Sequence, residues 1–291
     1  MTLTNARLGP YMIRELIGVG GTSEVYRADH VEGGAPVVVK VIRPERKADP
    51  AQLKSLKNEF SILERRLHPG IPVGRRLAEV SGRPCIVMDF LSGDSLSDVL
   101  ALKAKHTHLP VNGLRVLADL CGIVQAIHEA EFIHNDIKLE NCILRPDGSL
   151  ALVDFGSVRS GAGKNLLASL FSRSEKTVFG TATYLAPELI AGSQPTYQSD
   201  VYALGVCAFR LLTGRFPFDA STQSSRIKAN AASAPPSLAG RIPNVPPGPA
   251  TVVDMCLAKS PKERTPNVQA LQAAVRQMIE RSKTQGSIRP S

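Results

Sequence analysis

The pattern of apolar residues changes character near Ser92 and Gly93, and this change limits the folds that the chain can adopt. Before it, residues 11–42 and 84–91 have the composition of strands, with the β-branched run Val37–Ile42 as the clearest case. After it, apolar residues recur mostly at the spacing of helices. The sequence therefore predicts an α+β fold, in which a small strand-rich part precedes a larger helical part.

Four stretches have apolar residues at helical spacing: 50–67, 112–130, 199–213 and 266–281. The first belongs to the strand-rich part. The prolines of residues 233–250 predict an irregular loop between helices. Residues 283–291 are small and polar and predict a disordered tail. The predicted division is therefore an N-terminal lobe (1–91), a C-terminal lobe (92–282) and that tail.

Composition excludes several classes of protein. The 291 residues include five cysteines, an odd number without a CxxC pair, which disfavours a disulfide framework or a zinc site. No apolar run opens the chain, and the longest one, 201–212, is too short to span a bilayer and contains Arg210. The net charge of +9 is spread along the chain. We expect a cytoplasmic protein that binds neither nucleic acid nor membrane, with export by a route without a signal peptide left open.

A glycine-rich stretch lies between two predicted strands, where Gly18, Gly20 and Gly21 precede Val25. Glycines let a backbone approach a polyphosphate closely and point its amides at it. A Rossmann fingerprint needs a helix directly after the glycines, and a Walker A loop needs Gly-Lys-Ser/Thr, so neither motif fits. A glycine-rich hairpin that binds no ligand remains the alternative.

Lys40 lies in the middle of an apolar strand, where a buried ammonium needs an anionic partner. Glu59 is a candidate partner, because it lies near the edge of the apolar stripe of the helix predicted over 50–67. The alternative is a lysine whose ammonium reaches solvent beside an unrelated surface glutamate.

Two later motifs supply what phosphoryl transfer requires, namely a carboxylate that orients the nucleophile and ligands for metal ions that bridge phosphates. Asp136, in His-Asn-Asp-Ile-Lys-Leu-Glu-Asn, is the candidate carboxylate. Asn141 in the same motif and Asp154 in Asp-Phe-Gly offer hard oxygen ligands suited to magnesium. Lys138 places a positive charge near the phosphoryl group.

With these motifs in this order, residues 11–279 resemble a eukaryotic-type protein kinase domain of the bacterial serine/threonine kinase kind. The resemblance implies the bilobal protein kinase fold with ATP in the cleft between the lobes. It implies that Asp136 is the catalytic base, that Lys40 holds the α- and β-phosphates, and that Glu59 pairs with Lys40. It also implies that Asn141 and Asp154 hold magnesium, with manganese as the alternative ion.

The resemblance further implies a nucleotide site. The implied residues are Ile17, Gly18, Gly20, Val25, Val38, Lys40, Met88, Asp89, Leu91 and Ile143. Met88 would be the gatekeeper, and backbone groups of Asp89 and Leu91 would bind adenine. The other apolar side chains would form the walls of the adenine pocket.

Three matches in the second half are typical of protein kinases rather than small-molecule kinases. They are Ala-Pro-Glu ending at Glu188, Asp200 in Ser-Asp-Val-Tyr, and Arg264, which the resemblance pairs with Glu188. Lys138 and Thr181 are the residues typical of serine/threonine specificity. The implied partners are protein substrates with Ser or Thr acceptors, and a second copy of the chain for autophosphorylation.

Asn135 departs from the family pattern, because it replaces an arginine that pairs with a phosphorylated residue of the activation segment, which is residues 154–188 in this chain. Asparagine carries no charge, so we predict that activity does not depend on such a contact. Arg159 or Arg173 could hold a phosphate instead. Ser174 and Thr177 are the first candidates for autophosphorylation.

Two other functions fit parts of the pattern. A pseudokinase scaffold would bind nucleotide without turnover, although such proteins usually lack one of the catalytic groups that this chain retains. A small-molecule kinase shares the catalytic loop and the metal-binding Asp but lacks the Ala-Pro-Glu, Asp200 and Arg264 framework.

Overall fold

The computed structural model describes residues 2–103, 112–161, 183–218, 220, 222–242 and 247–284. Arg173, Ser174, Thr177 and Thr181 lie outside the described residues. The predicted α+β fold is confirmed, since an antiparallel sheet with one helix precedes a mainly helical part.

The strands are β1 (Arg7–Leu8), β2 (Tyr11–Val19), β3 (Ser23–His30), β4 (Val37–Ile42), β5 (Gly74–Val80), β6 (Arg83–Asp89), β7 (Asp94–Ser95), β8 (Phe132–Ile133), β9 (Cys142–Leu144), β10 (Leu150–Leu152) and β11 (Arg159–Ser160). A six-stranded sheet has the order β1-β2-β3-β4-β6-β5 with antiparallel neighbours. Strand β4 is central. Its alternation sends Val37, Val39 and Val41 into one apolar cluster and Val38 and Ile42 toward the other.

The α-helices of the described residues are α1 (Pro50–Leu63), α2 (Leu96–Lys103), α3 (Gly113–Glu129), α4 (Pro187–Ile190), α5 (Tyr197–Thr213), α6 (Gln223–Ala232), α7 (Pro247–Cys256) and α8 (Val268–Thr284). Helix α5 forms the centre of the larger part, and 12 of its 17 residues are buried. A Thr196–Ser199 capping box begins it, and Gly214 ends it in the left-handed conformation at φ 72°. Within the described ranges, no helix is both long and apolar enough to cross a membrane.

Three predicted boundaries were wrong. Helix α1 ends at Leu63 instead of residue 67, because the chain turns and Arg66 adopts a left-handed φ of 54°. Helix α7 begins at Pro247, inside the predicted loop, because proline is tolerated in a first turn, where backbone N–H groups have no partner within the helix. Helix α8 continues to Thr284, so the first two residues of the predicted tail are helical, and the rest lie outside the described residues.

Gly93 lies where the chain passes from the six-stranded sheet to the helical part. Its φ is 144°, and a Cβ there would collide with the carbonyl oxygen of Leu144. Strand β7 follows at once and pairs with β9, which is itself paired with β10. The passage is therefore packed tightly against the hairpin that follows the catalytic motif.

Candidate active site

Three charged side chains from three separate elements meet between the sheet and the helical part. Lys40 Nζ in β4 lies 2.7 Å from Glu59 Oε1 in α1 and 2.8 Å from Asp154 Oδ1. Asp154 follows β10 in the chain. Lys40 shares a face of β4 with Val38 and Ile42, and this face is turned to α1. Helix α1 is fixed at its start by the Asp49 side chain, which accepts the Ala51 N–H. Spacing alone had suggested the Lys40–Glu59 pair, but not that Lys40 also contacts Asp154.

The charges in this cluster stabilise one another. Burial works against the charged form of Lys40, but the Asp154 and Glu59 carboxylates outweigh it and raise the pKa of the ammonium. The Lys40 charge lowers the pKa of Asp154 well below its usual range. Burial raises the pKa of Glu59, although the Lys40 charge opposes that shift. Lys40 therefore stays protonated and Asp154 ionised at neutral pH.

Asp136 lies in the loop after β8, and its two carboxylate oxygens differ. Oδ2 accepts from Lys138 Nζ at 2.8 Å and from Asn141 Nδ2 at 3.2 Å. Oδ1 is buried and accepts no hydrogen bond from the described residues. Burial raises the pKa of Asp136, and the Lys138 charge opposes the shift. The arrangement leaves one oriented, buried oxygen that can accept a proton or a hydrogen bond from a substrate hydroxyl.

Asp200, fully buried in the first turn of α5, holds the backbone of this loop. Its carboxylate accepts the N–H groups of His134 and Asn135, both at 2.8 Å, and it contacts His128 Nε2 at 2.9 Å. Asn135 has φ 63°, a left-handed conformation that asparagine tolerates better than most residues. Asp200 thus fixes the loop through its backbone rather than through its catalytic side chains.

His134 and Phe155 pack edge to face with ring centroids 4.9 Å apart. His134 Nδ1 accepts the Asp136 N–H at 3.3 Å, and burial lowers the pKa of the imidazole. A neutral, buried imidazole in this place supports the loop and the Phe155 ring, and His134 is not positioned as a base.

The donor set beside Asp136 fits a hard divalent cation. Asp154 offers a carboxylate, and its side chain is 47% exposed. Asn141 donates through Nδ2 to the Asp136 carbonyl at 2.9 Å, which leaves its amide oxygen as an acceptor. Magnesium typically takes one or two protein oxygens and completes its shell with water and phosphate oxygens.

The strands bring several predicted nucleotide contacts together. Val25 in β3 lies opposite Gly18 in β2 and opposite Lys40 in β4. Val38 in β4 lies opposite Met88 in β6. Asp89 ends β6, where its N–H donates to the Val73 carbonyl at 3.0 Å. Ile17 is 45% exposed. Ile143 lies in β9, and Leu91 follows the end of β6 by two residues.

Gly18 and Gly20 are not required by the fold. A Cβ added to Gly18 would lie 3.7 Å from Val25, and one added to Gly20 would lie 3.5 Å from the Ser23 carbonyl oxygen, both ordinary contacts. Neither glycine has a positive φ. The space above this hairpin is therefore open to close approach by a ligand.

A second ion pair lies in the helical part. Arg264 forms a two-pronged contact with Glu188, with Nη1 to Oε1 at 2.7 Å and Nη2 to Oε2 at 2.6 Å. The Arg264 side chain is fully buried. Its remaining N–H groups donate to the carbonyls of Ala258, Gln198 and Lys259. This pair fixes the start of α4 to the loop before α8.

Three further contacts were not predicted. Ser55 Oγ donates to the Gly156 carbonyl at 3.0 Å. Arg210 bonds Glu140 at 2.9 Å and the Tyr184 hydroxyl at 2.5 Å. Asn230 Nδ2 donates to the carbonyls of Thr183 and Leu185. Only Ser55 carried a usable signal, because it precedes Glu59 by one helical turn and shares its face.

Comparison with known proteins agrees with this geometry. A family model described as "Protein kinase domain" matches residues 11–275. The serine/threonine-protein kinase PknH of Mycobacterium bovis is 29% identical over 256 residues, covering 88% of this chain and 42% of the relative. The serine/threonine-protein kinase PrkC of Bacillus subtilis is 28% identical over 268 residues, covering 92% of this chain and 40% of the relative. The chain thus spans about two fifths of the length of these relatives.

A solved structure gives the same fold. The crystal structure of the Mycobacterium tuberculosis PknI kinase domain, in a mutant form, superimposes with a TM-score of 0.69 at 23% identity. The match covers 96% of this chain and 100% of that domain. At this level of identity the likeness establishes the fold.

Proposed function

Because the chain belongs to the protein kinase family, we propose that it transfers the γ-phosphate of ATP to serine and threonine hydroxyls of proteins. The observation that carries the proposal is the Lys40 cluster beside Asp136. Lys40 lies 2.7 Å from Glu59 and 2.8 Å from Asp154, and Asp136 keeps a buried oxygen available. The named serine/threonine kinases among the relatives support the choice of acceptor.

The catalytic residues would act by position and charge. Asp136 Oδ1 would accept the proton of the acceptor hydroxyl and orient its oxygen. Lys138, 2.8 Å from Asp136, would stabilise the negative charge that develops on the phosphoryl oxygens. Lys40, held by Glu59, would bind the α- and β-phosphates.

Asn141 and Asp154 would hold magnesium, which neutralises phosphate charge when it is bound. The carboxylate and amide oxygens of this pair suit magnesium or manganese alike. Parallel assays with each ion, at matched concentrations, would decide which one supports the faster transfer.

The nucleotide would lie between the glycine-rich hairpin and the end of β6. Ile17, Val25, Val38 and Ile143 would contact the adenine ring. The backbone of Asp89 and Leu91 would bind its edge, with Met88 behind. The proposed contacts are therefore Ile17, Gly18, Gly20, Val25, Val38, Lys40, Met88, Asp89, Leu91 and Ile143.

The test is incubation of the purified chain with labelled ATP, a divalent ion and a generic protein acceptor, followed by phosphosite mapping. Asp136→Ala and Lys40→Ala are the inactive variants, and Lys57→Ala, an exposed lysine of α1, is the matched control. We expect label on Ser and Thr with the wild type and the Lys57 variant only. Label that persists in Asp136→Ala, or nucleotide binding without any transfer by the wild type, would contradict the proposal. The second outcome would favour a pseudokinase.

Autophosphorylation between copies is proposed as a further use of the same site. Mixing the active chain with a tagged Asp136→Ala copy tests it, because label on the tagged copy requires contact between two molecules. Cytoplasmic location and the lack of nucleic-acid and membrane binding remain predictions from composition, which cell fractionation and binding assays would test.

A further inference from the structure

Helix α1 contacts the segment after Asp154 through a hydroxyl group as well as through charge. Ser55 Oγ donates to the Gly156 carbonyl at 3.0 Å, across 101 positions of sequence. Ser55 precedes Glu59 by four residues, so both side chains extend from one face of α1. The same helix face therefore reaches the Asp-Phe-Gly motif at two points.

Gly156 is an immediate neighbour of the ion cluster. A Cβ built on it would lie 3.3 Å from Lys40 Nζ, 3.4 Å from Asp154 Oδ1 and 3.5 Å from Glu59 Oε2. The Gly156 N–H points to Asp154 Oδ1 at 3.4 Å. A rotation of this residue would therefore move a backbone group against the carboxylate that is proposed to hold the metal ion.

The backbone at Asp154 needs such support. Asp154 has a left-handed φ of 66°, which is unfavourable for most residues with a side chain and persists only when the surroundings enforce it. Lys40 holds the Asp154 side chain, but Lys40 is shared with Glu59. The Ser55 hydrogen bond holds the following backbone without using charge.

We propose that Ser55 is a positioning residue that fixes the Gly156 carbonyl and, through it, the orientation of the Asp154 carboxylate toward the metal ion. This inference rests on the proposed function, since the metal ion is the one that phosphoryl transfer would use. The Ser55–Gly156 hydrogen bond needs no phosphorylation, and it holds the first residues of the activation segment directly to α1.

The first test is steady-state kinetics of Ser55→Ala, Ser55→Thr and Ser61→Ala. Ser61 is the matched control, because it lies on the same helix and its hydroxyl donates to the Asn58 carbonyl of that helix. Alanine is the better helix former, so neither alanine variant should unfold α1. For Ser55→Ala we expect kcat to fall about three- to tenfold, the loss typical of one neutral hydrogen bond.

The pattern of change separates positioning from a general structural role. In Ser55→Ala the magnesium concentration that gives the half-maximal rate should rise. KM for ATP should change by less than about twofold, since the proposed adenine contacts do not lie on α1. Ser55→Thr, which keeps the hydroxyl, should retain most of the wild-type rate. Ser55→Asp should be worse than alanine, because it adds a carboxylate beside Glu59 and Asp154.

The second test needs no turnover. Amide hydrogen exchange over residues 156–161, without nucleotide, should be faster in Ser55→Ala than in the wild type and unchanged in Ser61→Ala. Equal kcat and equal exchange in Ser55→Ala and the wild type would overturn the inference. So would a fall in kcat with unchanged magnesium dependence and unchanged exchange. An inactive wild type would refute the proposed function, and the exchange experiment would still decide whether Ser55 fixes this segment.

Discussion

The Lys40 cluster and the Glu188–Arg264 pair are both buried contacts between a cation and a carboxylate, with closest distances of 2.7 Å and 2.6 Å. They differ in how completely the charges are satisfied. Lys40 is shared by two carboxylates, and Asp154 is 47% exposed. Arg264 faces a single carboxylate in a two-pronged contact, and carbonyl groups accept from its other N–H groups.

The difference indicates different roles. The Lys40 cluster has an excess of negative charge and an open side, so Lys40 and Asp154 can take phosphate and metal ion as further partners. The Glu188–Arg264 pair is enclosed and satisfied, so it can only hold α4 in place. The distances are nearly equal, so exposure and charge balance are the observations that favour a ligand-binding role for the Lys40 cluster and a structural role for the Glu188–Arg264 pair.

The largest effect is expected on removal of Lys40. Lys40→Met should lower kcat/KM by about 100- to 1000-fold, the range found when one electrostatic contact to the transition state is lost. Its effect on unfolding should be smaller than that of Arg264→Met, because burial already raises the pKa of Glu59, so that this carboxyl can take up a proton when the ammonium is gone, and Asp154 is partly exposed. Initial rates and urea unfolding of the two variants side by side would test this, and a Lys40→Met chain that keeps most of its activity would refute the proposed role.

The Glu188–Arg264 pair should show the opposite pattern. Arg264→Met leaves Glu188 without its partner and should lower the free energy of unfolding by about 3–5 kcal/mol. Arg264→Lys keeps the charge but loses the planar fork, so it should fall between that variant and the wild type. A change below about 1 kcal/mol in urea unfolding of Arg264→Met would mean that the contact is not a brace.

Lys259 lies beside the Glu188–Arg264 pair and should make the free energy of unfolding depend on pH, which we do not expect of the Lys40 cluster over the same pH range. Burial and the nearby Arg264 charge lower the pKa of Lys259 to about 8. Its ammonium lies 3.7 Å from the Phe218 ring centroid and donates to the Asn230 carbonyl. An unfolded lysine has a pKa of about 10.4. Between about pH 8 and pH 10 the unfolded chain therefore binds more protons than the folded chain, and the contribution of Lys259 to stability rises with pH.

Comparison with Lys259→Met isolates this contribution. The difference in free energy of unfolding, wild type minus variant, should rise between about pH 8 and pH 10 and be flat from about pH 6 to pH 7. Thiols and tyrosines that titrate in the same range cancel in the difference. A difference that stays constant with pH would show that Lys259 has an ordinary pKa.

The smallest effect is expected at Asn135. Its Nδ2 lies 3.5 Å from the Ser157 carbonyl, at the limit of a hydrogen bond, whereas its backbone N–H is held by Asp200. Asn135→Gly removes the side chain and accepts φ 63° without strain, so kcat should change by about twofold or less. Phosphatase treatment should likewise leave activity in place. Loss of activity that one phosphomimetic in the activation segment restores would contradict this.

Short motifs explain which parts of the site could be predicted. Lys40, Asp136, Asn141 and Asp154 carry chemistry that restricts the residue type, so order and spacing were enough to make them candidates, and the structure places Lys40 against Asp154 and Asn141 against Asp136. The central strand was also predictable, because five of the six residues of Val37–Ile42 are β-branched and apolar.

The remaining contacts depend on how distant elements pack. Nothing near Arg210 or Asn230 in sequence marks them, because arginine and asparagine are common on helix surfaces, and the position of Ser55 one turn before Glu59 does not reveal its partner. Their partners become neighbours only when the chain has folded. Helix ends were missed for a similar reason, since the left-handed Arg66 and the proline at the start of α7 depend on local geometry that periodicity does not show.

The most direct measurement is phosphoamino-acid analysis of a protein acceptor incubated with labelled ATP and either the wild type or Asp136→Asn. Asparagine has nearly the shape of aspartate but cannot accept a proton. We expect phosphoserine and phosphothreonine with the wild type, at least a hundredfold less with Asp136→Asn, and equal nucleotide binding by both in calorimetry. Equal labelling by both proteins, or none by a wild type that binds ATP, would contradict a phosphoryl transfer that depends on Asp136.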